Sequence, residues 1–155
     1  SLPTRYRSGV GMMIINHQKK IFVGQRFDKD KSAWQMPQGG IDKGESEEVA
    51  LKRELEEETG ISKDFNIIKI SEKKYTYDLP ASLQKKLWKG KYKGQEQRWF
   101  LLRFIGEDKE IDIQTQKPEF KKWKWIQQED LIDIIIPFKR KLYKNILEEF
   151  KNELI

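Results

Sequence analysis

Residues 39–61, GGIDKGESEEVALKRELEEETGI, decide how the rest of the chain is read. A glycine pair stands ahead of a segment with the composition of a helix. Ser46 is a good N-cap residue, and Glu47 and Glu48 put negative charge in the first turn, where the helix dipole favours it. Gly60 is a natural left-handed terminator, so the helix is predicted to run from Ser46 to Gly60. At about 100° per residue, Glu54, Glu57 and Glu58 fall on one face at i, i+3 and i+4. Leu51 and Leu55 form a neighbouring face that can be buried. Like charges so close oppose the helix, and only Arg53, one turn before Glu57, compensates locally. Three carboxylates on one face suit a hard divalent cation such as Mg²⁺ or Mn²⁺, which takes oxygen ligands.

An acidic helix face is ordinarily just a solvated one. Here the order of residues narrows the choice. Gly39, Glu45, Arg53-Glu54-Leu55, Glu57-Glu58 and Gly60-Ile61 fill nine positions across twenty-three residues. They resemble the signature box of the Nudix hydrolases at every fixed position. That resemblance implies a loop–helix–loop that binds divalent metal and hydrolyses a nucleoside diphosphate linked to another group. It assigns metal binding to Glu54, Glu57 and Glu58, together with Gly39. Arg53 and Glu45 become a supporting ion pair, with Arg53 counted in the catalytic set. The general base is left between Glu54 and Glu57.

The chain has 155 residues, enough for one domain with a real core but short for two, so residues 1–155 are read as a single domain. Charged residues make up 36% and hydrophobic residues 37%, with 8 Phe, 5 Tyr and 5 Trp to supply core and stacking surface. The formal net charge of +6 around an acidic site fits attraction of a polyanionic substrate. With no cysteine there is no disulfide, thiolate metal site or cysteine nucleophile. The single histidine, His17, sits in a predicted hairpin turn and reads as a surface residue. No apolar run reaches membrane-spanning length and no signal peptide is evident, which makes the cytoplasm the default location and excludes a membrane partner. A monomer is favoured.

Along the chain, residues 9–15 form a continuous apolar run, hence a strand buried on both faces. Residues 20–25 read as a second strand, in a hairpin with the first. A charged loop is predicted at 28–31. Pro37 breaks regular structure in the stretch WQMPQGG at 34–40, and its two glycines permit close backbone approach to a ligand. Residues 65–77 read as a strand, 81–95 as a basic insertion and 98–105 as the strongest strand of the chain. Residues 120–126 give another strand, 128–135 a short helix, and 138–154 a final amphipathic helix. The pattern predicts an α/β domain with helices packed on a mixed sheet. The Nudix resemblance implies the same, a mixed sheet sandwiched between helices in α/β/α layers.

Segments outside the box are similar to one Nudix branch. They are WQMPQGG at 34–40, Tyr77-Asp78-Leu79-Pro80, Tyr92-Lys93-Gly94-Gln95 with Arg98-Trp99-Phe100-Leu101-Leu102, Pro118-Glu119-Phe120, Trp123-Lys124-Trp125 and Phe138-Lys139. That branch holds the asymmetrically cleaving diadenosine tetraphosphate hydrolases and the bacterial RNA pyrophosphohydrolases, and the likeness spans Tyr6 to Phe150. It implies a further metal carboxylate at Glu119, otherwise an ordinary surface residue. It places Arg7 and Arg26 beside the polyphosphate, with Arg26 also stacking on a base. Ile136, Phe138 and Lys139 match a base-pocket loop; simple packing of the last helix explains Ile136 and Phe138 equally well. Tyr77 is either a stacking face for a base or a core tyrosine at a strand end.

The implied reaction is hydrolysis of a phosphoanhydride, assisted by two or more Mg²⁺ or Mn²⁺ ions. Free dinucleoside polyphosphates and the 5′-triphosphate end of RNA are the two substrate classes. A module that binds nucleotide or RNA ends without turnover is the competing class. The intact glutamate set argues against it, because such a module has no need of mutually repelling carboxylates.

Overall fold

A computed structural model of the chain describes residues 2–27 and 33–155. The charged loop predicted at 28–31 lies outside the described residues. The strands are β1 (Tyr6–Ile15), β2 (Ile21–Arg26), β3 (Trp34–Gln35), β4 (Gln38–Gly40), β5 (Phe65–Ile70), β6 (Tyr75–Asp78), β7 (Gly94–Phe104) and β8 (Phe120–Ile126). The helices are α1 (Glu47–Thr59), α2 (Ala81–Gln84), α3 (Leu131–Ile134) and α4 (Arg140–Glu149).

β1 and β7 are the axis of the sheet. They pair in parallel over ten positions, from Tyr6 opposite Gly94 to Ile15 opposite Arg103. The sheet orders as β3-β2-β1-β7-β5, with β4 on β1, β6 on β7 and β8 on β2, all antiparallel. The apolar run at 9–15 is therefore central and buried on both faces. Val10, Met12 and Ile14 pack with Leu51 and Leu55 of α1 on one side. Met13 and Ile15 pack with Tyr143 and Ile146 of α4 on the other. These are the layers the sequence predicts. Each fully buried Leu, Ile or Met contributes about 1.5–3 kcal/mol, so both layers are held by the alternation within one strand. No helix among the described residues is long and apolar enough to cross a membrane.

The structure refines several predicted bounds. The strand predicted at 65–77 is two, because Ser71 interrupts it: its hydroxyl takes a hydrogen bond from the Trp99 amide at 3.0 Å, and its own amide donates to the Trp99 carbonyl. The stretch at 34–40 is not irregular throughout. Pro37 separates two short strands, and its carbonyl accepts from the Met12 amide. The final helix is regular only over Arg140–Glu149, between a 3-10 turn at Pro137–Lys139 and a turn after Phe150. At the β1–β2 hairpin the Asn16 side chain accepts from the Gln18 and Lys20 amides, leaving His17 exposed as expected.

Candidate active site

α1 begins and ends where its sequence dictates. The Ser46 hydroxyl accepts from the Val49 amide at 3.2 Å, and Gly60 adopts φ 76°. The Gly60 turn lies so close to the Asp112 backbone that a side chain there would collide with it. This fixes the rotation of the helix and the direction of its glutamates.

Arg53 is the hub. Its Nε and Nη2 donate to the two oxygens of Glu45 at 2.7 and 2.8 Å, a bidentate pair. Nη2 also donates to the Gly40 carbonyl, while Nη1 reaches Glu54 at 2.8 Å and Glu57 at 3.2 Å. The Arg53 guanidinium holds the Glu45 carboxyl down to about 2, and Glu45 in turn raises Arg53. The predicted supporting pair is thus present, and it ties the helix to the loop after β4.

The three box glutamates have different surroundings. Glu57 is half-exposed, its side chain keeping 55% of its accessible surface. Burial pushes the Glu54 carboxyl up to about 7, opposed by its bond to Arg53 and reinforced by Glu57 and Glu119. Glu58 is only 2% exposed; burial, then Glu54 and Glu119, hold its carboxyl well above the usual range. Its Oε2 atom is buried with no hydrogen-bond partner. A buried carboxylate with an unpaired oxygen and two repelling carboxylates near it is costly in the bare protein and fits a cation. Among the described residues no three acidic or histidine side chains are already drawn together as a finished cage. Arg53 Nη1 instead engages Glu54 and Glu57 together. Gly39 lies against Glu54: a Cβ there would come within 2.3 Å of both carboxylate oxygens.

Folded Glu54 binds its proton more tightly than unfolded Glu54. Its contribution to stability is therefore complete below about pH 4.5 and lost as pH rises through about 7. The loss is on the order of 3 kcal/mol, at about 1.4 kcal/mol per unit. Urea denaturation in excess chelator should show this fall together with one from Glu58, whose carboxyl is raised in the same direction; Glu54→Gln should lessen the fall, and an unchanged profile in the variant would assign it to Glu58.

Glu119, just before β8, is brought to the box by the pairing of β8 with β2. Arg26 is opposite Phe120, and its Nη1 lies 3.6 Å from Glu119. Both side chains are over 40% exposed, so the pair itself adds little stability. Arg7, on β1, lies against Gly40, and a Cβ at Gly40 would come 2.2 Å from its guanidinium. Arg7 and Arg26 both act electrostatically on the Tyr77 phenol.

Tyr77 is not an open stacking face. It is 6% exposed, with Phe138 6.1 Å from its ring and the Lys139 ammonium 5.0 Å from the ring centre. Its hydroxyl accepts from the Gln38 amide at 2.9 Å. Phe138 and Ile136 are partly buried and pack against the α4 core while keeping some surface. Lys139 is 4% exposed and donates to Gln38 and, more distantly, Gln35.

Sequence reasoning missed the buried glutamines. Gln97 donates to Gln38 at 3.0 Å and to Gln95 at 2.7 Å, and accepts from the Trp99 indole. Gln38 also gives its backbone N–H to Glu58, so this network braces the acidic site from below. The alternation Gln95, Gln97, Trp99 in a central strand is the signal that was available.

A family model described as a NUDIX domain matches residues 5–146. An RNA pyrophosphohydrolase of Rickettsia typhi is 53% identical over 147 residues, covering 95% of this chain and 91% of that protein. One from Pelagibacter ubique is 50% identical over 148 residues, with 96% and 93% covered. Among solved structures, a C. elegans Ap4A hydrolase in a binary complex aligns with TM-score 0.65 at 22% identity, covering 93% and 98% of the two chains. The E. coli dihydroneopterin triphosphate pyrophosphohydrolase aligns at 0.69 and 19% identity, covering 92% and 97%. The chain belongs to the Nudix hydrolase family.

Proposed function

We propose that this chain is a metal-assisted pyrophosphohydrolase acting on the 5′-triphosphate end of RNA, with dinucleoside polyphosphates such as diadenosine tetraphosphate as further substrates. The observation that carries the site is the unpaired, buried oxygen of Glu58, a carboxyl that feels the charges of both Glu54 and Glu119. The RNA pyrophosphohydrolases that are about half identical over nearly the whole chain support the substrate class.

Glu54, Glu57, Glu58 and Glu119, with Gly39 at close range, would hold Mg²⁺ or Mn²⁺, two or more ions. When bound, the cations supply Lewis acidity and positive charge to the phosphate oxygens. Arg53 and Glu45 fix the direction of Glu54. Arg7 and Arg26 neutralise charge on the remaining phosphates. Water attacks phosphorus and one phosphoanhydride bond breaks, leaving a 5′-monophosphate and pyrophosphate. The proton leaves the water for Glu54 or Glu57.

The experiment is product analysis with Mg²⁺, offering triphosphorylated RNA and diadenosine tetraphosphate in parallel. Monophosphorylated RNA with pyrophosphate is the expected result. Binding with no phosphate product over hours, under varied divalent metals, would favour the non-catalytic module instead.

Arg26 and Phe138 come from opposite ends of the chain and are proposed to hold one base. Losing a stacked partner typically costs about 1–3 kcal/mol. Arg26→Ala and Phe138→Ala should therefore each lower kcat/KM on RNA by roughly 5- to 150-fold, less than additively when combined. If Phe138→Ala lowers only thermal stability, Phe138 belongs to the core alone and the base is held elsewhere.

A further inference from the structure

The basic insertion contains one feature that a solvated loop does not account for. Trp88, Lys89 and Gly90 take three successive left-handed conformations, with φ of 48°, 58° and 70°. L-residues avoid this region because Cβ crowds the following carbonyl, and for a bulky side chain it is a true outlier. The turn is closed by the Lys91 amide donating to the Trp88 carbonyl at 3.2 Å. Its effect is to set the Trp88 ring beside Arg7, whose Cζ lies 5.3 Å from the ring centre. Tyr92 meets the Trp88 ring edge-on at 6.2 Å and fixes its tilt.

The same guanidinium also lies against Gly40. A built Cβ on Gly40 would lie 2.2 Å from Cζ, Nη1 and Nη2 of Arg7 alike, so the guanidinium plane lies flat on that glycine. Gly40 immediately follows Gly39, the neighbour of Glu54. Arg7 is thus placed between the insertion and the acidic box, and no carboxylate among the described residues pairs with it. An aromatic face can hold a cation in position while leaving its N–H donors unspent. A carboxylate partner would consume them.

We infer that Trp88 is a positioning residue for Arg7: the strained turn presents its ring so that the guanidinium stays flat on Gly40 with donors directed to the phosphates. This rests on the proposed reading of Arg7 as a phosphate ligand. Trp88 also packs against the α4-side core. Packing alone requires only apolar bulk, whereas holding a guanidinium requires a π face, and that difference makes the two roles separable.

The test measures kcat/KM on triphosphorylated RNA with Mg²⁺ for Arg7→Ala, Trp88→Leu, Trp88→Phe and the Arg7→Ala/Trp88→Leu double variant. Cation–π contacts of this kind correspond to roughly a 2- to 30-fold effect. Trp88→Leu should lose that much, Trp88→Phe should retain most of the activity, and Trp88→Leu should change the rate less than about twofold once Arg7 is absent. If Arg7→Ala has no effect, the reading of Arg7 fails and this inference with it. If Arg7→Ala is impaired but Trp88→Leu costs the same with and without Arg7, or nothing, the positioning role alone is overturned. Trp88→Met, which keeps the bulk, replaces the leucine variant if melting shows that Trp88→Leu does not fold.

Discussion

With Mg²⁺ present, Glu58→Gln should lower turnover by roughly 10³-fold while making the cation-free protein more stable. The two effects have one cause. Glu58 is 2% exposed, its Oε2 has no partner, and Glu54 and Glu119 both repel its charge. A neutral amide of the same shape removes the repulsion and most of the desolvation cost. It also removes a carboxylate from the proposed cation site. Several kcal/mol of charge stabilisation in the transition state correspond to about a factor of ten per 1.4 kcal/mol. Wild-type protein should gain melting temperature on addition of Mg²⁺, since a ligand that binds only the folded state stabilises it by mass action. Glu58→Gln should lose most of that gain. Glu57→Gln offers a contrast: Glu57 is half-exposed, so its rate should fall by orders of magnitude with little change in cation-free stability. Full activity of either variant, or of wild type in excess chelator, would remove these glutamates from the chemistry.

The acidic box was legible because every part of it is local. Ser46 and Gly60 set the helix ends, and i, i+3, i+4 spacing sets the face, whatever the rest of the chain does. The central strand was equally plain, since only a strand covered on both faces is continuously apolar. What could not be read locally was how the charges partition. Three glutamates on one helix face look equivalent in the sequence, yet Glu58 is buried, Glu54 is held by Arg53 and Glu57 faces solvent. That difference comes from the sheet beneath α1. The division of residues 65–77 into two strands was hidden for a similar reason, because it depends on Ser71 finding Trp99 across the sheet. Tyr77 was ambiguous between core and stacking surface, because its burial depends on Phe138 and Lys139, which come from the far end of the chain. Long-range pairs such as Arg26 with Glu119 and Arg7 with Trp88 carry no local signature; the resemblance gave Arg26 and Glu119 separate roles without pairing them, and nothing pointed to Arg7 with Trp88.

Gly39→Ala, a change of one methyl group, should lower kcat by on the order of 10²-fold with little loss of fold stability. The added Cβ would lie 2.0 Å from Cδ of Glu54 and 2.2–2.3 Å from its two oxygens, distances no real Cβ tolerates. The backbone is not the obstacle: Gly39 lies in β4, opposite Val10 of β1, in extended conformation that alanine adopts freely. The carboxylate must therefore move, by about an ångström, and a misplacement of that size can cost about 10²-fold. Its route out is restricted, because Arg53 holds Glu54 at 2.8 Å and is itself held by both oxygens of Glu45 and by the Gly40 carbonyl. Gly40→Ala is the matched comparison. It would strike the Arg7 guanidinium instead, which ends a flexible side chain, so it should weaken phosphate binding by a smaller factor and leave the response to Mg²⁺ intact. If Gly39→Ala acts through Glu54, adding it to Glu54→Gln should slow the reaction little further, because the carboxylate it displaces is already gone. Losses that multiply in the double variant, or a Gly39→Ala enzyme with the wild-type rate, would show that Gly39 does not set the position of Glu54.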